Sequence, residues 1–153
     1  MSQQQRTLAV TRPTLHLIHQ ALVSHIDSLK MAATLVHNLN TEHLHHCVHL
    51  SSRILSLKRH KAQFKTRTIY NLPLTEAEWE IIDNALFTHI ITLTITSPPT
   101  PETYQKIHNC QNVRAMVQLY CPYPIIFPKL DQNWFIHPIL KENQHTNTSR
   151  EKL

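Results

Sequence analysis

Hydrophobic residues recur along the first quarter of the chain with heptad spacing, which predicts a long amphipathic helix over residues 12–39. Seven of the eight seam positions are apolar: Leu15, Ile18, Leu22, His25, Leu29, Ala32, Val36 and Leu39. A second seam follows Thr41, a residue type suited to the N-cap, and it is apolar in the middle. Its positions are His43, Cys47, Leu50, Ile54, Leu57, Lys61 and Phe64. Because a short connection makes consecutive helices antiparallel neighbours, these two segments predict a helical hairpin.

The clearest local signal is a capping box at residues 74–79, Leu-Thr-Glu-Ala-Glu-Trp. Thr75 can accept a hydrogen bond from the backbone N–H of Glu78, and the Glu78 side chain can reach back to Thr75. Leu74 and Trp79 are spaced to form the accompanying hydrophobic staple. The pattern predicts a third helix from Glu76 to about residue 89.

The segment that follows has a different period. Residues 91–96, Ile-Thr-Leu-Thr-Ile-Thr, alternate with period two, which is typical of a β-strand. Prolines then break the chain, and Thr100 with Pro101 supplies an N-cap and first position for a fourth helix. An α+β alternative pairs 91–96 with 66–71 or with 124–127.

The sequence thus predicts a mainly α fold: a long antiparallel helical hairpin, two shorter helices and a Pro-rich extended C-terminal strap over 122–140. Residues 1–11 are polar and predict a flexible N-terminus without a signal peptide. Residues 12–140 form one predicted helical domain, and 141–153 a disordered polar tail. No window is apolar enough to predict a membrane span.

The 153 residues include no glycine, where average usage of about 7% would give roughly ten. Phosphate-binding loops, dinucleotide fingerprints, nucleophile elbows and EF-hand loops all need glycine, so these classes are excluded. Gly, Ala, Val, Asp and Glu share codons that begin with G, and together they are scarce. We therefore hypothesise a coding strand poor in G, from a compact viral genome; an ordinary G content in the gene would contradict this.

Net charge and cysteine content limit the possible partners and the possible cellular compartment. The formal net charge is +5, which is compatible with nucleic acid or an acidic protein and also ordinary for a small domain. The cysteines are three, an odd number, with no CxxC spacing. This favours free thiols in a reducing intracellular compartment, cytoplasm or nucleus.

Histidines surround Cys47 and raise the question of a metal. In the predicted hairpin His37 lies across from His43 and Cys47, and these three could ligate zinc, with Cys110 or His108 as a fourth ligand. No ligand spacing matches a recognised zinc finger, so we assign no cofactor from the sequence. The alternatives are codon bias towards histidine, a pH-sensitive hairpin with His25 and His43 on its seams, or a Cys–His catalytic pair.

A basic run follows the second seam, and no acidic residue occurs between His43 and Thr75. Its members are Arg53, Lys58, Arg59, Lys61, Lys65 and Arg67. Lys58, Lys61 and Lys65 share one side of a helix and could follow a phosphate backbone. The alternative is internal pairing with the acidic first turn of the third helix.

The first seam allows two interpretations. Its apolar positions can form the core of a monomeric bundle, or they can bind a partner or a second copy through helix 12–39. The candidate partner-binding positions are Leu15, Ile18, Leu22, Leu29 and Val36. We expect a small non-enzymatic accessory protein that acts by protein–protein binding. The alternative is a nucleic-acid-binding protein that uses residues 53–67, and an enzyme ranks third.

Overall fold

The computed structural model describes residues 5–35, 41–60 and 69–128. Within these ranges the chain is mainly helical, with four α-helices and one small antiparallel sheet. The elements in chain order are β1 (Arg6–Thr11), α1 (Arg12–Leu35), α2 (Thr41–His60), β2 (Ile69–Leu74), α3 (Glu76–Thr96) and α4 (Pro101–Tyr120). The mainly helical class predicted from the sequence is confirmed.

Helices α1 and α2 run antiparallel, as two contacts at opposite ends of the pair establish. Lys58 Nζ lies 2.8 Å from Nδ1 of His16, and the rings of His25 and His43 are 5.8 Å apart between centroids. Position 16 of α1 therefore faces position 58 of α2, and position 25 faces position 43. The last predicted turn of the first helix, residues 36–39, lies outside the described residues.

Strand β1 occupies residues that the sequence interpretation placed in a flexible N-terminus over 1–11. Arg6–Thr11 pairs antiparallel with β2, and Leu8 lies opposite Leu72. Side chains alternate between buried and exposed along both strands, so each strand adds one apolar face to the core. The short Thr-Leu-Ala-Val-Thr alternation forms a strand because β2, which is distant in the sequence, pairs with it.

The strand predicted at residues 91–96 is wrong, because these residues belong to helix α3. The α+β alternative, which pairs this segment as a strand, is therefore wrong as well. The helix continues to Thr96 because no breaker occurs before Ser97, and because Ile90 packs with Ile107 of α4. Threonine hydroxyls bond to the carbonyl four residues earlier, as Thr94 does to Ile90 at 2.8 Å, which accommodates them in a helix. Tertiary packing therefore overrides the β propensity of this segment.

The other predicted elements also need adjustment. Helices α3 and α4 have 21 and 20 residues, so neither is shorter than α2 with its 20. Residues 122–128, the first part of the predicted strap, are neither helix nor strand. The rest of the strap, 129–140, and the tail 141–153 lie outside the described residues.

One core joins the sheet to the helices. Its largest fully buried side chains include Trp79, Tyr70, Leu15 and Leu86. A buried ion pair ties α3 to α4, since Arg114 donates two hydrogen bonds to Asp83, of 2.9 and 3.2 Å. Among the described residues, no helix is both long enough and apolar enough to span a membrane.

Candidate functional site

A groove opens between α1, α3 and α4 and encloses about 780 Å³. We call it the α1–α3–α4 groove. Its apolar lining comprises Leu17, Val23, Met31, Leu93 and Cys110. Its principal charged and ionisable lining residues are His19, Asp27, His89 and Lys106. An apolar surface with a few polar groups at its margin is the usual composition of a binding site.

The α1 residues that line the groove lie on a face of the helix outside the heptad seam. Leu17, Ser24 and Met31 recur seven residues apart, so they lie along one side of the helix. At 1.5 Å per residue, the stretch from Leu17 to Met31 is about 21 Å long. Val23 and Met31 are 42% and 67% exposed, so this wall of the groove offers apolar surface to solvent.

Electrostatics differ between the walls. Asp27 stands on α1, whereas Lys106 stands on α4. His89 on α3 is half-buried; burial, and then the nearby Lys106 charge, lowers its pKa below 6.5. Its Nδ1 atom is buried and has no hydrogen-bond partner among the described residues. Burial and the Lys106 charge therefore disfavour the charged form of this imidazole at the wall of the groove.

The candidate partner-binding seam lies mostly inside the protein's own core. Leu15, Ile18 and Leu22 are completely buried, and Leu29 is partly buried against the same cluster. Val36 lies outside the described residues. These side chains stabilise the hairpin, so a partner would have to bind α1 on a different face.

The three described members of the basic run have different surroundings. Arg53 donates hydrogen bonds to Glu78 and to the carbonyl of Pro73, so its charge is paired internally. Lys58 contacts His16 on α1, and Arg59 is exposed. The remaining members, Lys61, Lys65 and Arg67, lie outside the described residues.

Positive charge does concentrate where α1 begins. Burial, and then the Lys58 and Arg12 charges, lowers the pKa of His16. Burial and then Lys58 likewise lower the pKa of His19. Burial and then Arg12 lower the pKa of Lys58 itself. We call Arg12, His16, His19 and Lys58 the basic cluster.

Two of the three weak metal candidates lie together. His43 Nε2 is 3.7 Å from Cys47 Sγ, and the third group beside them is His25 of α1, with all three ligand atoms within 4.8 Å of one another. His37 lies outside the described residues. His108 is exposed, and Cys110 is buried in the separate cluster of Ile90 and Ile107.

The same pair does not fit a catalytic thiol. Cys47 is completely buried, and burial raises the pKa of its thiol. A nucleophilic cysteine needs the opposite, a lowered pKa and access for a substrate. The contact with His43 therefore suits a structural or metal-binding role better than covalent catalysis.

The sequence analysis predicted neither the groove nor the position of His25 beside Cys47. His25 carried a signal, because it was the single polar residue on an otherwise apolar seam and faced the seam that holds His43 and Cys47. The groove carried no local signal, because it depends on how α3 and α4 pack across α1. The buried Asp83–Arg114 pair likewise depends on the packing of two helices.

Comparisons with models of known protein families, with curated proteins and with solved structures find no match. The function is therefore argued from the geometry of the groove and of the side-chain clusters beside it.

Proposed function

We propose that this chain is a non-enzymatic accessory protein that binds an amphipathic helix of a partner protein in the α1–α3–α4 groove. The observation that carries the proposal is the exposed apolar wall of α1, where Val23 and Met31 border a volume of about 780 Å³. Apolar surface that borders a cleft is a feature of sites that bind other proteins. An amphipathic helix buries such a surface by laying its apolar face into the groove.

Dimensions and charge define the occupant. The length of about 21 Å accommodates about 14 residues of a helix, or four turns. Such a helix would present apolar side chains at positions i, i+3 or i+4, and i+7 to the groove. Lys106 and Asp27 lie on different walls, so the ligand helix should carry an acidic residue toward α4 and a basic residue toward α1.

Peptide selection tests the proposal without knowledge of the natural partner. A library of 16-residue peptides is selected on the full chain, and the retained peptides are then tested for binding to the Val23→Glu variant. We expect the retained peptides to share apolar residues with helical spacing and an acidic residue on one flank. Retained peptides without helical spacing, or that bind Val23→Glu equally well, would contradict groove binding. A library of small apolar compounds is screened on the same chain in parallel. If compounds bind and no peptide does, the groove is a pocket for a small ligand.

The basic cluster favours a second candidate function, the binding of nucleic acid. Burial and then the Arg12 charge lower the pKa of Lys58, and burial followed by the Lys58 and Arg12 charges lowers the pKa of His16. These basic groups are therefore close together, and such a concentration of charge attracts phosphate. Anisotropy of labelled RNA and DNA, at about 50 and about 200 mM salt, tests it. Steep salt dependence that Lys58→Ala reduces, and that the control Lys30→Ala does not, would support it. No binding at the lower salt would exclude it.

A further inference from the structure

We infer that His25, His43 and Cys47 form a zinc-binding site that joins α1 to α2. The three side chains come from facing positions of the two helices, and their ligand atoms lie within 4.8 Å of one another. Two imidazoles and one thiolate are ligands that zinc accepts, in sets of three or four. The inference does not depend on the proposed groove function.

The spacing is close to that of a metal centre. Zinc binds nitrogen at about 2.0–2.1 Å and sulfur at about 2.3 Å in tetrahedral geometry. Two such ligands on one ion are therefore about 3.6 Å apart. The observed separation of His43 Nε2 and Cys47 Sγ is 3.7 Å, so this pair already has the required spacing. Small side-chain rotations would bring the third ligand, His25 Nε2, to the same distance.

The hydrogen bonds of His25 provide a second, independent observation. Its Nδ1 lies 3.2 Å from the hydroxyl of Thr88, and that hydroxyl donates its own hydrogen to the carbonyls of Asn84 and Ala85. With the Thr88 hydrogen on these carbonyls, its oxygen accepts from His25 Nδ1–H, and Nε2 of this tautomer carries a lone pair. An outer hydrogen bond of this kind is usual for zinc-bound histidine.

The lone pair of His25 Nε2 has no other use among the described residues. The atom is buried without a hydrogen-bond partner, and the residue as a whole is only 9% exposed. Buried polar atoms are nearly always satisfied, and an orphaned one calls for an explanation such as an ion. A zinc ion held with His43 and Cys47 would satisfy it.

Protonation states agree with this assignment. Burial, and then the neighbouring His43, lowers the pKa of His25, so the imidazole is neutral, as a ligand must be. Burial keeps the Cys47 thiol protonated in the absence of metal. Binding therefore replaces the thiol proton: a Zn–S bond forms, the S–H bond breaks, and one proton passes to solvent. Half-buried His43 places the cluster near the surface, where water can complete the coordination.

Cobalt and zinc titrations of the reduced, metal-free full chain test the site. The Cys110→Ala/Cys121→Ala background leaves Cys47 as the single thiol of the chain. One equivalent of Co²⁺ should give a thiolate-to-metal charge-transfer band, which Zn²⁺ then abolishes by displacement. The band should disappear in Cys47→Ala and in His43→Ala. It should remain in His45→Ala and His46→Ala, which alter exposed histidines of the same helix.

A zinc-affinity measurement on Thr88→Val separates a built site from chance binding by surface histidines. This nearly isosteric change removes the acceptor for His25 Nδ1–H, and we expect zinc affinity to fall about 10–100-fold. Circular dichroism verifies that each variant folds. The assignment is overturned by no charge-transfer band, by a band that survives His43→Ala, by unchanged zinc affinity in Thr88→Val, or by binding of Cu⁺ without Zn²⁺.

Discussion

Individual threonine side chains determine where α3 begins and how it continues past residue 90. The Thr75 hydroxyl accepts a hydrogen bond from Glu78 N–H at 3.2 Å, and the Glu78 carboxylate accepts one from Thr75 N–H at 2.9 Å, which is the predicted capping box. Thr92 and Thr94 bond to carbonyls one turn earlier. A threonine that precedes the helix therefore caps its start, and a threonine within the helix is tolerated because its hydroxyl bonds to the backbone.

Removal of the N-cap should weaken the fold measurably. In Thr75→Ala the backbone N–H of Glu78 loses its acceptor, and we expect the free energy of unfolding to fall by about 1 kcal/mol. Urea denaturation monitored by circular dichroism measures the change. Thr75→Ser, which keeps the hydroxyl, is the matched control and should retain most of the stability. An equal loss in both variants would mean that the cap contributes nothing.

At the scale of elements, the buried contact between α3 and α4 is a charged one. Asp83 accepts from Arg114 and from Gln118, while Arg114 also donates to the carbonyl of Pro128. The Arg114 guanidinium lies 4.8 Å from the ring centroid of Phe87. Both Asp83 oxygens and two of the three Arg114 guanidinium nitrogens, Nε and Nη2, therefore have hydrogen-bond partners, which is what makes the burial of this ion pair tolerable.

This contact yields an asymmetric prediction. Arg114→Ala leaves the Asp83 carboxylate buried without its cation, so the free energy of unfolding should fall by about 3–5 kcal/mol. The double variant Asp83→Leu/Arg114→Met removes both charges at similar volume and should be clearly more stable than Arg114→Ala. Urea denaturation of the three proteins measures both effects. A double variant no more stable than the single one would contradict the electrostatic explanation.

The elements themselves were predictable to different extents. The starts of α3 and α4 follow from the capping box and from Thr100 with Pro101, because capping is local chemistry. Residues 91–96 and β1 were misjudged, because packing against α4 and pairing with β2 are not local. The His43–Cys47 pair follows from helical spacing, whereas its neighbour His25 and the groove depend on how helices are arranged in space.

For the whole molecule, the shifted pKa values predict an optimum of stability in pH. The pKa values of His16, His19, His25 and His89 are lowered in the folded state, mainly by burial. As pH falls below 6.5 the unfolded chain takes up protons first, so stability is lost. Burial raises the pKa of all three cysteines, that of Cys110 to about 11. Above about pH 9 the unfolded thiols ionise first, and stability is lost again.

Unfolding by urea in the presence of a chelator, at about pH 5.5, 7.5 and 9.5, measures this dependence. We expect the highest midpoint at the middle value. His89→Gln, which cannot titrate, should reduce the loss on the acid side. A midpoint that rises or stays constant from pH 7.5 to 5.5 would contradict the burial of neutral histidines.

At the scale of the whole molecule, the central claim is that a partner helix binds in the α1–α3–α4 groove, and two matched variants test it most directly. Val23 borders the groove and is 42% exposed; Val48 lies on α2, away from it, and is 40% exposed. The measurement is the Kd of one selected peptide for Val23→Glu and for Val48→Glu. We predict at least about tenfold weaker binding to Val23→Glu, equivalent to about 1.4 kcal/mol, and nearly unchanged binding to Val48→Glu. Equal Kd values for the two variants would contradict binding in the groove.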